Sequence, residues 1–261
     1  MTYEIDVVIH SDQRLIPGAD VEVIPGIPWN NRFALPFAHK TLFVEKSRSY
    51  DLYIYGEDDI LITQRNIEAF LEISKILPDN EIAGFFRYEE DHTGELYYPD
   101  VFRGFHFDPT SIRVRNGLVF AHFTNEHSGC YMMTRNHLKK AVESQGYELG
   151  LRSGPHTLAC TASTDPYRNC KMQKLLCISR FEDFLVHHQS NSYLGAVKIY
   201  NNFMGNVGIH HNDMCAQLER IKELERSGIN GAKQLFKTQT LLRNTFWWDK
   251  NYFEICSPKL T

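Results

Sequence analysis

Long apolar runs are missing from this sequence. No segment approaches the ~18 consecutive apolar residues that a membrane-spanning helix needs. An excess of positive charge is missing as well: the net charge is −4, which argues against a nucleic-acid backbone as the main partner. Met1 to Asp12 is a charged, strand-like start without the pattern of a secretion signal. Six cysteines (Cys130, Cys160, Cys170, Cys177, Cys215, Cys256) are scattered with no CxxC spacing. They read as reduced, mostly buried thiols of a cytoplasmic-type compartment. GxGxxG, P-loop, GxSxG and HExxH motifs are all absent, which argues against dinucleotide oxidoreductases, P-loop kinases and the common serine and zinc hydrolases.

What is present suffices for a large core. The chain has 261 residues, 43% of them hydrophobic, and one α/β domain, alone or with an appendage, is the natural expectation. Glu4 to His10 reads as a strand closed by Ser11-Asp12. Pro17 to Pro36 is too rich in proline for a long helix, with Asp20 to Ile24 as a short strand. Phe37 to Lys46 has helical spacing. Tyr50 to Tyr55 reads as a buried strand and Gln64 to Ile76 as a helix. Glu81 to Tyr88 is the next strand, His92 to Asp100 a hairpin turning at Thr93-Gly94, and Asp108 to His122 a second hairpin around Asn116-Gly117. Gly129 to Thr134 is a strand capped into a helix over Arg135 to Ser144. A helix begins at Pro155 and stops near Asp165-Pro166. Leu175 to Ile178 is a short strand, Phe181 to His188 reads as helical, Asn212 to Arg226 is a charged helix, and Lys233 to Phe246 forms a last helix ending in Trp247-Trp248.

The most informative stretch is the strand that runs into Gly56-Glu57-Asp58-Asp59. Three carboxylates at the C-terminal end of an apolar strand repel one another and raise each other's pKa. A hard divalent cation, Mg²⁺ or Mn²⁺, removes that cost by taking one or two carboxylates together with phosphate oxygens and water. Open α/β sheets bind ligands at such an edge. Alternate side chains face opposite ways, so one acid leads; Asp59 is the expected metal ligand, with Glu57 or Asp58 reaching a ribose or a metal-bound water. A solvated acidic turn is the plain alternative.

A second constellation is Glu182-Asp183 before His187-His188. On a helix Asp183 and His187 share a face. One acid could serve as a general base and one histidine could complete a metal shell; an amphipathic helix with a solvated acid pair and one buried histidine is the plain alternative. Gly129-Cys130-Tyr131 suits either a pocket wall or plain core. Asp165 before Pro166 is a catalytic candidate or an ordinary helix stop.

In order, these elements resemble a GT-A glycosyltransferase over roughly Glu4 to Gly195. The acidic triplet corresponds to the DXD motif of that superfamily, and in its EDD form it is similar to the triplet of the N-acetylglucosaminyltransferases that branch N-glycans. The resemblance implies a Rossmann-like, mixed and mostly parallel sheet flanked by helices over residues 1–205, with a C-terminal helical appendage over 206–261. It implies a nucleotide-sugar donor, a UDP- or GDP-sugar, held through Mn²⁺ or Mg²⁺ at Asp59, and a glycan or glycoconjugate acceptor. Asp12, Arg32, His39 and Lys40 would contact the donor nucleotide, and Gly129, Cys130 and Tyr131 would border the acceptor. Glu182 or Asp183 would match the catalytic carboxylate of an inverting enzyme, and His187 or His188 the C-terminal metal or phosphate histidine. A nucleotidyltransferase, a metal-dependent phosphohydrolase and a non-catalytic nucleotide- or sugar-binding protein on the same scaffold remain as alternatives.

Overall fold

The computed structural model describes residues 3–14, 20–101, 105–151, 157–194, 197–200, 203–206 and 208–227. Over these the chain is a mixed α/β protein of several small sheets with helices between them. Strands β1 (Val7–Ser11) and β2 (Val21–Pro25) pair in parallel. Helix α1 (Ala38–Glu45) then leads to β3 (Leu52–Gly56), which buries Tyr53 and Tyr55. The acidic triplet follows, then β4 (Ile60–Leu61) and α2 (Gln64–Ile73). A capping box starts α2: the Thr63 side chain accepts the Asn66 N–H, and the Asn66 side chain accepts the Thr63 N–H. In chain order come β5 (Glu81–Ala83), β6 (Phe86–Glu90), β7 (Leu96–Tyr98), β8 (Arg113–Arg115), β9 (Leu118–Ala121), β10 (Cys130–Thr134), α3 (Arg135–Glu143), α4 (Leu158–Arg168), β11 (Gln173–Cys177), β12 (Leu185–His188), β13 (Val197–Tyr200), β14 (Phe203–Asn206), β15 (Ile209–His210) and α5 (His211–Arg226).

Two segments run side by side through the two largest sheets. The four-stranded sheet has the order β5-β11-β9-β8 and the five-stranded sheet β15-β7-β6-β12-β4. β5 pairs in parallel with β11, and their continuations β6 and β12 also pair in parallel. β4 closes the edge antiparallel to β12, with Ile60 opposite His188. β3 pairs antiparallel with β10, placing Cys130 opposite Gly56. The triplet is thereby enclosed on both sides: the Glu57 N–H donates to Gly129 O at 2.8 Å and the Gln189 N–H to Asp59 O at 2.8 Å.

One core cluster gathers Phe70, Phe85, Phe120, Tyr131 and Phe184 around β3, β10 and α2. A second gathers Phe86, Tyr98, Phe107, Phe123 and Phe181, and the buried Met214 and Ile221 of α5 join it. The described part of the expected appendage is thus packed into the body. Asn116 and Gly117, at φ 48° and 77°, make the expected turn between β8 and β9, and Thr134 caps α3 as expected.

Several expectations are corrected. The sheet is not mostly parallel: β1·β2, β5·β11 and β6·β12 are parallel, and the other seven pairings among the described residues are antiparallel. Glu81 to Tyr88 is two strands rather than one. They part at Gly84, where a Cβ would lie 2.3 Å from Lys174 Cε. Phe181 to His188 is not one helix: a 3-10 stretch ends at Phe184 and Leu185–His188 is a strand, because pairing with β4 and β6 outweighs the local helical spacing. Helix α4 runs through Pro166 to Arg168. Its expected start at Pro155, and the expected helix over 233–246, lie outside the described residues.

Candidate metal and donor site

Strand alternation separates the two late histidines. His187 turns to one face of β12 and stacks on Tyr88, ring centres 4.8 Å apart. His188 turns to the other and meets the triplet: its Nε2 lies 2.9 Å from Asp59 Oδ2. Its Nδ1 lies 2.6 Å from Oε1 of Glu89, a fully buried carboxylate one register step along β6. The Tyr193 N–H donates to Glu89 Oε2 at 2.9 Å, and the Tyr193 ring stacks on His188 at 5.5 Å. With Nδ1–H directed at Glu89, Nε2 faces the Asp59 carboxylate and also lies 3.0 Å from Ser190 Oγ. Either a proton on Nε2 or a cation held between the nitrogen and the carboxylate makes the contact favourable.

That arrangement fits a divalent cation. A carboxylate-held histidine beside a second carboxylate is the usual outer-sphere support of a metal-binding imidazole. Donors 2.9 Å apart match two adjacent ligands of an octahedral ion at about 2.1 Å each, which lie roughly 3 Å apart. The Asp59 side chain is 33% exposed, so the pair opens to solvent and to further oxygen ligands. Among the described residues no group of three or more His, Cys, Asp and Glu side chains could hold a metal unaided. Mg²⁺ and Mn²⁺ bound by one or two protein ligands take the remainder from phosphate oxygens and water.

Glu57 lies next to this pair in a different state. Burial pushes its carboxyl up to about 7; the Arg87 guanidinium pulls it down, and Asp59 pushes it up again. Arg87 is itself buried and held by Asp100, donating from its N–H to Oδ2 at 3.0 Å and from Nη2 to Oδ1 at 2.6 Å. Burial draws the Arg87 guanidinium down, but Asp100 outweighs it and raises it above its ordinary value. Gly129 is required here: its φ is +66°, and a Cβ would lie 2.9 Å from Ile60 Cδ1 and 3.3 Å from Glu57 Oε2. Asp58 is exposed.

Other candidates are placed elsewhere. Lys40 and Asp165 form an ion pair with both side chains fully buried. Lys40 Nζ also donates to Glu148 O at 3.1 Å, and Asp165 accepts from Asn169 Nδ2 at 2.5 Å, so the pair ties α1 to α4 inside the body. His39 is buried and stacks on Tyr55 at 4.1 Å. Its Nδ1–H donates to Pro36 O, so its Nε2 accepts from the Tyr131 hydroxyl, both at 2.5 Å. Burial, then the neighbouring Lys40 charge, hold His39 well below its ordinary pKa and neutral. Cys130 is buried with its thiol pushed up to about 12, and Tyr131 is fully buried; of the expected acceptor wall, Gly129 bonds to the triplet through its carbonyl. Arg32 and Asp12 are exposed.

Nor are the late acids brought to Asp59. Asp183 accepts from Arg65 and Arg180, each at 2.6 Å, and despite burial these bonds hold its carboxyl below the usual range. Glu182 is 75% exposed and 3.7 Å from Arg65. The length of β12, about 10 Å from Leu185 to His188, lies between both acids and the histidine. Glu89, Arg87 and Asp100 were not anticipated. The signal was a pair of charges at alternate positions of an apolar strand, Phe86-Arg87-Tyr88-Glu89, which alternation turns to one buried face.

Comparison with family profiles, with curated proteins and with solved structures finds no match to this chain.

Proposed function

We propose that this chain is a metal-dependent glycosyltransferase of the GT-A type, moving a sugar from a nucleoside-diphosphate sugar to a hydroxyl of a glycan or glycoconjugate. The observation that carries this reading is the 2.9 Å approach of Asp59, the last acid of the triplet, to His188, 129 positions later in the sequence. Asp59 and His188 hold Mn²⁺ or Mg²⁺, and Glu89 fixes the imidazole in the tautomer that offers Nε2. A cation bound there supplies Lewis-acid neutralisation of the charge that develops on the diphosphate leaving group. The protein's own part is positional. Glu89 and Tyr193 orient His188, and the Gly129 carbonyl holds the backbone of the triplet. The side chains of Glu57 and Asp58 are left to hydrogen-bond the ribose or a bound water.

Among the described residues the Asp59–His188 pair is part of no larger group of three or more His, Cys, Asp and Glu ligands, which favours this reading over a two-cation phosphohydrolase. The test is a thermal-shift titration with UDP-, GDP- and TDP-sugars, with and without Mn²⁺. A ligand that binds only the native state raises its melting temperature by mass action. A manganese-dependent rise with one nucleotide, lost in Asp59→Ala, is expected. No rise with any nucleotide and metal overturns the reading.

A further inference from the structure

The Asp59–His188 pair sits in a ladder with one unusual rung. β4 and β12 run antiparallel, with Ile60 opposite His188 and Leu61 opposite His187. The rung before this pairing is direct: the Gln189 N–H donates to Asp59 O at 2.8 Å. Continuing the register brings Thr63 opposite Leu185, where a regular ladder would join the Thr63 N–H to Leu185 O. A side chain stands there instead. Asn66 Oδ1 accepts the Thr63 N–H at 2.8 Å, and Asn66 Nδ2 donates to Leu185 O at 2.9 Å. The other Nδ2 proton goes to Asp183 O at 2.9 Å. Thr63 O and the Leu185 N–H, which would complete the rung, bond locally with the Ile67 N–H and Glu182 O. The orientation of the amide is forced, because an N–H only donates and a carbonyl only accepts.

We propose that Asn66 is a positioning residue for the Asp59–His188 pair, a role that rests on the metal reading above. Its carboxamide replaces the missing rung and so sets where β12 lies against β4, and with it where His188 meets Asp59. Asn66 is 2% exposed. Both of its amide protons are engaged, and its carbonyl oxygen accepts from the Thr63 hydroxyl at 2.8 Å as well as from the Thr63 N–H. Helix capping accounts for only half of this. The capping box at Thr63 needs an acceptor three residues on, which Glu or Gln commonly supplies. The two donated bonds do nothing for α2; both go to the segment that ends in His188. An acid at this place would turn an oxygen toward two carbonyl oxygens and lose the bridge.

The test measures Mn²⁺ binding in the presence of excess UDP or GDP by electron paramagnetic resonance, without turnover. Asn66→Asp keeps the acceptor for the Thr63 N–H and removes both donors. Its Mn²⁺ dissociation constant is expected to rise by about 10- to 100-fold, the range typical when an outer support of a metal ligand is lost. Asn66→Ala is expected to show the same rise. Thr63→Val removes the capping hydroxyl and keeps the bridge, so it should melt below the parent yet bind Mn²⁺ within about threefold of it. A residue that merely capped the helix would give another pattern, with Thr63→Val and Asn66→Ala weakened alike and Asn66→Asp spared. That pattern overturns the assignment, as does Mn²⁺ affinity within about threefold of the parent in both Asn66 variants. Loss of the folded state in both Asn66 variants overturns it too, since the residue would then hold the protein and not the pair. Absence of Mn²⁺–nucleotide binding in the parent instead overturns the transferase reading, and this inference with it.

Discussion

Replacement of Asp165 separates a structural role from a catalytic one. Its carboxylate and the Lys40 ammonium are both fully buried. Asp165→Ala would leave the ammonium with Glu148 O at 3.1 Å and the ring faces of Phe37 and Tyr147 at 5.0 and 5.2 Å, but without this opposing charge. Breaking a buried pair from one side costs about 3–5 kcal/mol, a large part of the 5–15 kcal/mol that holds a typical protein together. For a chain of this size each kcal/mol moves the melting temperature by about 2–4 °C, so a fall of roughly 10 °C is expected. Lys40→Met/Asp165→Leu removes both charges and fills the space, and should recover most of the loss. Differential scanning calorimetry or urea denaturation of the parent, both single variants and the double variant gives the coupling directly. An Asp165→Ala protein that melts within about 2 °C of the parent but has lost turnover would refute this reasoning and return Asp165 to the catalytic group.

Further outcomes follow from the same physical chemistry. Burial pulls the Lys174 amine down to about 8 from 10.5; the unfolded chain binds the extra proton between those values, so this residue's contribution to stability rises with pH across that window, by about 3 kcal/mol. Comparing parent and Lys174→Met melts from pH 7 to 10.5 should show that rise in the parent alone. His39 is held neutral, well below 6.5, so its contribution is intact above pH 6.5 and falls away as the pH drops below it; denaturation of His39→Gln against the parent at pH 7 and pH 5 checks the sign. Gly129→Ala forces a side chain to φ +66° against Ile60, and should lower stability by at least about 1 kcal/mol by urea denaturation. Glu182→Ala removes an exposed carboxylate; its stability should stay within about 0.5 kcal/mol of the parent, and its diphosphate release should be unchanged.

Local chemistry was legible in the sequence where local chemistry decides the outcome. Asn116-Gly117 makes its turn because both residues take positive φ, and Thr134 starts α3 because its hydroxyl meets the His137 N–H. The acidic triplet stood out because its charges are awkward wherever they fold. Legibility ended where distant segments decide. Glu182 to His188 carried helical spacing, yet β4 and β6 draw Leu185–His188 into a sheet, which sends the acids and His188 to opposite ends of a strand. The alternation of Arg87 and Glu89 marks one buried face of a strand, but it does not show that Glu89 holds His188, 99 positions away. Lys40 and Asp165 looked like site residues by position, and burial makes them a clamp. Glu81 to Tyr88 reads as one strand until the Lys174 side chain passes over Gly84.

The proposed function depends on Asp59 and His188 jointly binding a divalent cation beside a nucleoside diphosphate. Electron paramagnetic resonance of Mn²⁺ in the presence of excess UDP or GDP, with parent, Asp59→Ala and His188→Ala proteins, measures it most directly. The parent is expected to convert the spectrum of the free nucleotide complex into a protein-bound one, and either variant to abolish the conversion. An undiminished protein-bound spectrum in His188→Ala would contradict it.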